Sequence, residues 1–248
     1  MTEEQLKFVE PILNTFENND IKEFAVEILN NFPSYIWDVG ASSTGKYHPS
    51  YTLGVLGLMK HQVAVARFIN FFFELEQYNN RFNSRQRDLL RLAALTHDGR
   101  KSGSQEDYEK SKYTKFEHPL LMAKVYLSYK DKGFLPEEEL KYIAVAISKH
   151  MGQWNTDKKS SIELSKPSDE ASELLHLADY LASRKCLNMS FDDYEIPITE
   201  DINTYKMSFG KYQDVLIKNV PKDYLKWLSG QELKEPLKTF VNQILKDE

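Results

Sequence analysis

Over most of this chain the apolar residues recur every three or four positions, the period of one helical face, instead of alternating as a half-buried strand requires. Leu6, Val9, Ile12, Leu13 and Phe16 set a first helix, and Phe24, Ile28 and Leu29 a second one after Asp20. The run Gly40-Ala41-Ser42-Ser43-Thr44-Gly45 has no periodicity and reads as a loop. A long apolar helix is expected from Tyr51 to Gln77, where Gly54 and Gly57 imply close backbone approach because glycine is costly in a helix interior. Another spans 84–97 with Ser84 as N-cap, followed by a polar loop over 99–113. Further helices are expected at 117–131, 136–150 and 169–186, with Pro119 in a first turn and Pro136 before three glutamates as start signals. Residues 152–167 form a second loop. The pattern predicts an all-α fold.

A chain of 248 residues that is 41% hydrophobic can bury one generous domain, or one domain and a small appendage. After Cys186 the periodicity fades, and 188–205 carries Asp192, Asp193, Glu195, Glu200 and Asp201. We therefore expect a helical domain at 1–187, a linker at 188–205 and a small mixed α/β module at 206–248. In that module a strand pair is expected around Phe209–Val220, then a helix from Pro221 and another near the end. A net charge of −5 excludes a generally basic nucleic-acid binder, so any such contact must be local. The single cysteine cannot form an intrachain disulfide, as suits a reducing cytosol. Met1-Thr2-Glu3-Glu4-Gln5 lacks the start of a secretory signal. The greasiest run, Phe68–Leu75, is broken by Asn70 and Glu74, and falls short of the roughly 20 residues that cross a bilayer. The expectation is a cytoplasmic protein without membrane contact.

Within the helical domain the histidines fall at Lys60-His61, Thr96-His97-Asp98, Glu117-His118-Pro119 and Lys149-His150-Met151, with Asp179 in Leu177-Ala178-Asp179-Tyr180. Imidazole and carboxylate together suit a divalent transition metal. Burying several of them is expensive unless a cation compensates. His97 and Asp98, neighbours at a helix end, point about 100° apart and can offer two ligands to one cavity; a carboxylate can also bridge two metals. Taken singly, a histidine within an apolar helix is more often a hydrogen-bonded core residue than a ligand. His176 keeps that reading, or orients Asp179 from three positions before it. His48, before Pro49 in a loop, is either a turn residue or a substrate contact.

The ordered series His61, His97-Asp98, His118, His150, Asp179 resembles the HD-domain superfamily of metal-dependent phosphohydrolases, in its two-metal H…HD…H…H…D branch. The contexts agree: Gly57-Leu58-Met59-Lys60-His61, Leu95-Thr96-His97-Asp98-Gly99-Arg100-Lys101, Ile147-Ser148-Lys149-His150 and Ala178-Asp179-Tyr180. The resemblance covers about 48–184 and implies an HD-type helical bundle as catalytic domain. It implies two divalent transition-metal ions (Mn, Fe, Co or Ni): one on His61, His97, Asp98 and Asp179, the other on His118 and His150, with Asp98 bridging. Many relatives carry a second histidine directly after the fourth, where this chain has Met151. Lys101 matches a lysine that often follows the HD pair and suits a phosphate oxygen, its other reading being a solvated loop lysine; Arg184 matches a recurring arginine and reads equally as a salt-bridge partner. Arg100 and Lys46 are weaker substrate contacts.

The tail, through Met207-Ser208-Phe209-Gly210-Lys211-Tyr212 and Val220-Pro221-Lys222-Asp223-Tyr224-Leu225-Lys226-Trp227-Leu228, is similar to a small module named for a quorum-sensing-regulated virulence factor, which also occurs beside nuclease domains and in phage proteins. This implies a bacterial cytosol, or a host cytosol if the chain is phage-encoded. Lys211, Lys218, Lys222 and Lys226 with Tyr212, Tyr224 and Trp227 read either as a strip for single-stranded nucleic acid or as a hydrophobic cluster with solvated lysines. The implied reaction is hydrolysis of a nucleotide-type phosphodiester, an oligonucleotide end or a cyclic or linear signalling nucleotide, by a hydroxide shared between the metals. The competing readings are a di-iron oxygenase on the same ligands and a nucleotide-binding module without turnover.

Overall fold

A computed structural model of the chain describes residues 1–42, 48–191, 194, 201–231, 233 and 235–246. Its helices run in the order α1 (Glu3–Leu13), α2 (Asn19–Asn30), α3 (Gly57–Glu74), α4 (Glu76–Asn79), α5 (Ser84–Thr96), α6 (Gln105–Lys110), α7 (His118–Leu127), α8 (Glu137–Ser148), α9 (Glu170–Ala182), α10 (Lys222–Ser229) and α11 (Leu237–Lys246). Two units separate by their contacts: residues 9–193 (with Met1), and residues 194–248 together with 2–8. No helix among the described residues is long and apolar enough to cross a membrane.

The first unit is an all-α bundle. α3 packs on α5 and α9, α5 on α8, α8 on α9, and α7 pairs with α8, while α2 covers α5. The apolar stripes meet in a core that includes Phe24, Ile28, Leu58, Val63, Leu90, Leu92, Ile143, Ile147, Leu175 and Ala178. The long helix begins at Gly57, six residues later than its periodicity suggests, because 37–41 claims the preceding backbone. Ala41 donates to the Thr52 carbonyl, Leu56 to Trp37 and Leu58 to Val39, at 2.8–2.9 Å. Gly54 thus lies outside the helix, with φ +68°, whereas Gly57 is the close approach: a Cβ there would overlap the Thr52 carbonyl and lie 2.9 Å from Gly40 Cα.

α5 is capped by Asn83, not Ser84. Asn83 Oδ1 accepts from the Gln86 amide at 2.9 Å and the Gln86 side chain accepts from the Asn83 amide at 3.0 Å, a capping box; the Ser84 hydroxyl instead accepts from Asn18 Nδ2. The polar stretch 99–113 is not all loop. Ser104 and Asp107 form a second capping box that starts α6, a helix too short for apolar periodicity to reveal. The helices expected at 117–131, 136–150 and 169–186 end earlier, at Leu127, Ser148 and Ala182. Within α5, the buried Asp88 carboxylate accepts from the backbone amides of Glu17 and Asn18 (2.8 and 2.7 Å) and pairs with Arg91 at 2.6 Å, fastening the α1–α2 turn to α5.

In the second unit, Met207, Ile217, Val220, Leu225, Leu228, Leu237, Phe240 and Val241 make a separate small core under α10 and α11. The strand pair expected near 209–220 is reduced to an isolated antiparallel bridge between Lys206 and Leu216, the β component of this module among the described residues.

Candidate metal centre

Five elements deliver the histidines and aspartates to one place. His61 lies in the second turn of α3, His97 and Asp98 follow the last residue of α5, His118 opens α7, His150 follows the end of α8, and Asp179 sits in α9. The four histidines and Asp98 are buried, and the Asp179 side chain is 19% exposed. Their rings touch in sequence, with centroids 5.4 Å apart for His61 and His97, 4.9 Å for His97 and His150 and 5.3 Å for His118 and His150.

For three of the rings a backbone carbonyl decides which nitrogen is presented. His97, His118 and His150 each lie three residues beyond a carbonyl, of Ala94, Lys115 and Ile147, at 2.7–2.8 Å from Nδ1. A carbonyl can only accept, so each Nδ1 carries a proton, and Nε2 is the nitrogen turned inward toward the cluster. Burial depresses the basicity of His97, and pushes that of His150 down to about 3, which favours the neutral ring at those two positions and leaves their Nε2 lone pairs bare.

The two oxygens of Asp98 divide the cluster. Oδ2 lies 3.7 Å from His97 Nε2 and 3.9 Å from His61 Nε2, whereas Oδ1 lies 3.0 Å from His118 Nε2 and 3.7 Å from His150 Nε2. Asp179 Oδ1 joins the first group, 3.0 Å from His61 Nε2 and 3.9 Å from His97 Nε2. Burial alone would raise both carboxyl groups. It is outweighed at Asp98 by Lys101 and by His97 and His118, and at Asp179 by the His61 hydrogen bond and by His97 and His150, so both are held below the ordinary carboxylate range. His118 Nε2 and Asp98 Oδ1 face each other at 3.0 Å, a separation that calls for a proton or a cation between the two atoms. Among the described residues His97 Nε2, His118 Nε2 and Asp98 Oδ1 have no hydrogen-bond partner although buried. Ligand atoms of His61, His97 and Asp179, and of His97, Asp98 and His150, lie within 4.8 Å of one another. The donor set fits a divalent transition metal.

Lys101 reaches Asp98 Oδ2 at 2.5 Å, so its ammonium borders the cluster as an ion-pair partner. His48 stands beside the centre, its ring 5.5 Å from that of His61 and its Nε2 3.5 Å from the Ser183 hydroxyl; burial pushes its basicity down to about 3. Arg184 makes no ion pair among the described residues; it lies over the Tyr180 ring. Arg100 turns to the carbonyls of Gly99 and Asn31. Lys46 lies outside the described residues. His176 does not hold Asp179: its Nδ1 bonds the His150 carbonyl at 2.7 Å, and Gln153 lies 3.1 Å from its Nε2. Tyr35, which the sequence does not single out, clamps the loop after Asp98 by accepting from the Ser102 amide at 2.9 Å and donating to the Gly103 carbonyl at 3.0 Å.

The HD domain family model matches residues 58–184, a span that contains all six clustered residues. The chain belongs to the HD-domain family. It thereby falls in a superfamily of metal-dependent hydrolases whose members bind divalent metals, and the His/Asp cluster of this HD-domain protein fits such a site. Residues 197–236 match a second family, described as "Putative quorum-sensing-regulated virulence factor". No curated protein and no solved structure matches the chain.

Proposed function

We propose that this HD-domain protein is a phosphodiesterase acting on a nucleotide-type substrate with two divalent transition metals. One observation carries the reading: Asp98 aims one oxygen at His61 and His97 and the other at His118 and His150, as a carboxylate shared by two cations must. His61, His97, Asp98 and Asp179 would hold one cation, and Asp98, His118 and His150 the other. Such cations supply a water acidified toward neutrality and neutralise charge on phosphoryl oxygens. The protein's own part is positional. The carbonyls of Ala94, Lys115 and Ile147 hold Nε2 of His97, His118 and His150 toward the cluster, burial keeps competing water from the ligands, and Lys101 brings a positive charge to the edge where a phosphate oxygen would enter.

The test is metal analysis followed by a cleavage panel of mononucleotides, dinucleotides and oligonucleotides with Mn²⁺, Fe²⁺, Co²⁺, Ni²⁺ or Mg²⁺. The wild type should hold two equivalents and cleave a phosphodiester. His118→Ala should hold one equivalent, and Asp98→Ala should lose at least about 100-fold in turnover, as when a directly acting electrostatic group is removed. A protein inert to the whole panel, or one that consumes O₂ with a mixed-valent di-iron signal, overturns the proposal; a ligand recovered uncleaved from the fully loaded protein would make it a binding module.

The second unit contributes a local nucleic-acid contact in this reading. Tyr224 lies 4.8 Å from Tyr212 and 5.4 Å from Trp227 between ring centroids, and Trp227 is 56% exposed. Lys211 Nζ stands 5.5 Å from the Tyr212 ring. Tyr212 and Tyr224 also pack against the module's core, so of these three rings Trp227 is the one left to stack on a base.

A further inference from the structure

Three side chains beside the metal centre form a stack that holding a metal does not require. The Trp154 and Tyr180 rings lie 15° from parallel with centroids 5.9 Å apart. The Arg184 guanidinium sits 4.2 Å from the Tyr180 centroid and 5.9 Å from that of Trp154. Arg184 Nε donates to the Tyr180 carbonyl at 3.1 Å, which fixes the guanidinium over the ring, and among the described residues no carboxylate pairs with it. Trp154 is 46% exposed, so the indole offers solvent an aromatic surface that its packing leaves open.

The stack is tied to the proposed ligands on both sides. Tyr180 directly follows Asp179, and Trp154 comes directly after the turn at 149–153 that carries His150. His176 holds that turn: its Nδ1 bonds the His150 carbonyl, and its ring fills the space where a Cβ on Gly152 would stand, with Gly152 at φ +58°. The Trp154 amide then donates to the Met151 carbonyl at 3.1 Å. The platform is thus set in place before any ligand arrives.

We propose that Trp154, Tyr180 and Arg184 form a nucleobase-stacking subsite, which receives the base of a nucleotide whose phosphate is at the metal centre. This rests on the phosphodiesterase reading for the position of the phosphate. A sugar laid on the indole would call for carboxylate or amide partners to its hydroxyls. A guanidinium over an aromatic plane, with no carboxylate beside it, calls for a ligand that has both a π face and negative charge, which a nucleotide supplies.

Equilibrium dialysis of the Mn²⁺-loaded protein against adenosine monophosphate and ribose 5-phosphate separates base from phosphate without requiring turnover. The wild type should prefer adenosine monophosphate, and Trp154→Ala should reduce that preference at least about 5-fold, the low end of one stacked base. Trp154→Phe, which keeps a ring, should retain most of it. The subsite is overturned if the wild type binds adenosine monophosphate no better than ribose 5-phosphate, if it binds neither, or if Trp154→Ala leaves the ratio unchanged. Cleavage of the p-nitrophenyl ester of thymidine monophosphate is scored separately. A base preference without cleavage supports the subsite and counts against the phosphodiesterase, whereas cleavage without a base preference overturns the subsite alone.

Discussion

Gly57 shows how one missing methyl group positions a ligand. It is the first residue of α3, one turn before His61, and its hydrogen faces the Thr52 carbonyl and Gly40 Cα, both backbone. Backbone cannot rotate away as a side chain can. Gly57→Ala should therefore cost about 3 kcal/mol in urea unfolding, the upper part of the range for an overpacked site. It should also weaken metal binding, because α3 must shift to admit the methyl. Gly133→Ala is the control: φ is +75° there, but nothing lies within 4 Å of the added carbon, so only the left-handed backbone cost of about 1–2 kcal/mol remains.

At the scale of elements, α5 carries the His97-Asp98 pair, and its other end is fastened through Asp88. That carboxylate is buried, accepts from two backbone amides and from Asn18 Nδ2, and pairs with an Arg91 that also donates to Asn70 at 2.8 Å. Asp88→Ala would take from a largely buried guanidinium its nearest carboxylate, leaving Glu17 at 3.5 Å, and would leave two amides without their acceptor. We expect a loss of about 3–5 kcal/mol in chemical denaturation. Asn83→Ala, which removes only the cap of the same helix, should cost about 1 kcal/mol. Equal costs for the two variants would show that Asp88 is not a fastening point. Element boundaries were also where sequence and structure parted. α6 has six residues and a capping box but no apolar face, so periodicity could not reveal it. Ser84 and Asn83 are equally good caps by type, and only the contact between Ser84 and Asn18 from the α1–α2 turn shows which of them was free to cap.

For the whole molecule, pH and metal content should both control stability. Burial, the leading cause in each, pushes Tyr35, Tyr51 and Tyr129 up to about 12 from the ordinary phenol value of 10.0. These groups stay protonated in the fold after the unfolded chain has begun to ionise. Their contribution is full below pH 10 and is lost as pH rises from about 10 through about 12. The thermal midpoint should fall across that window, with phenolate absorbance rising at the unfolding transition; gradual ionisation of these tyrosines at pH 10 without unfolding would refute it. A cation that binds only the folded chain adds stability with its concentration. Chelation should therefore lower the melting temperature, and added Mn²⁺ should raise it progressively; a midpoint indifferent to both would count against the metal centre.

The sequence by itself determined that the chain is helical, because apolar spacing reports a helix's buried face wherever that face is long enough. It also determined which histidines and aspartates were candidates, because His61, His97, Asp98, His118, His150 and Asp179 recur in a recognisable order beside helix signals. It left Lys101 open between a substrate contact and a solvated side chain, and Arg184 between a substrate contact and a salt bridge. Only the tertiary structure decided that three imidazoles are fixed by carbonyls three residues back, that Asp98 divides its oxygens between two histidine pairs, and that Arg184 rests on Tyr180 beside Trp154. The reason is geometric. Periodicity records which face of one helix is buried, whereas a metal centre or a stacking platform exists only where several helix ends converge, and no single segment encodes that convergence.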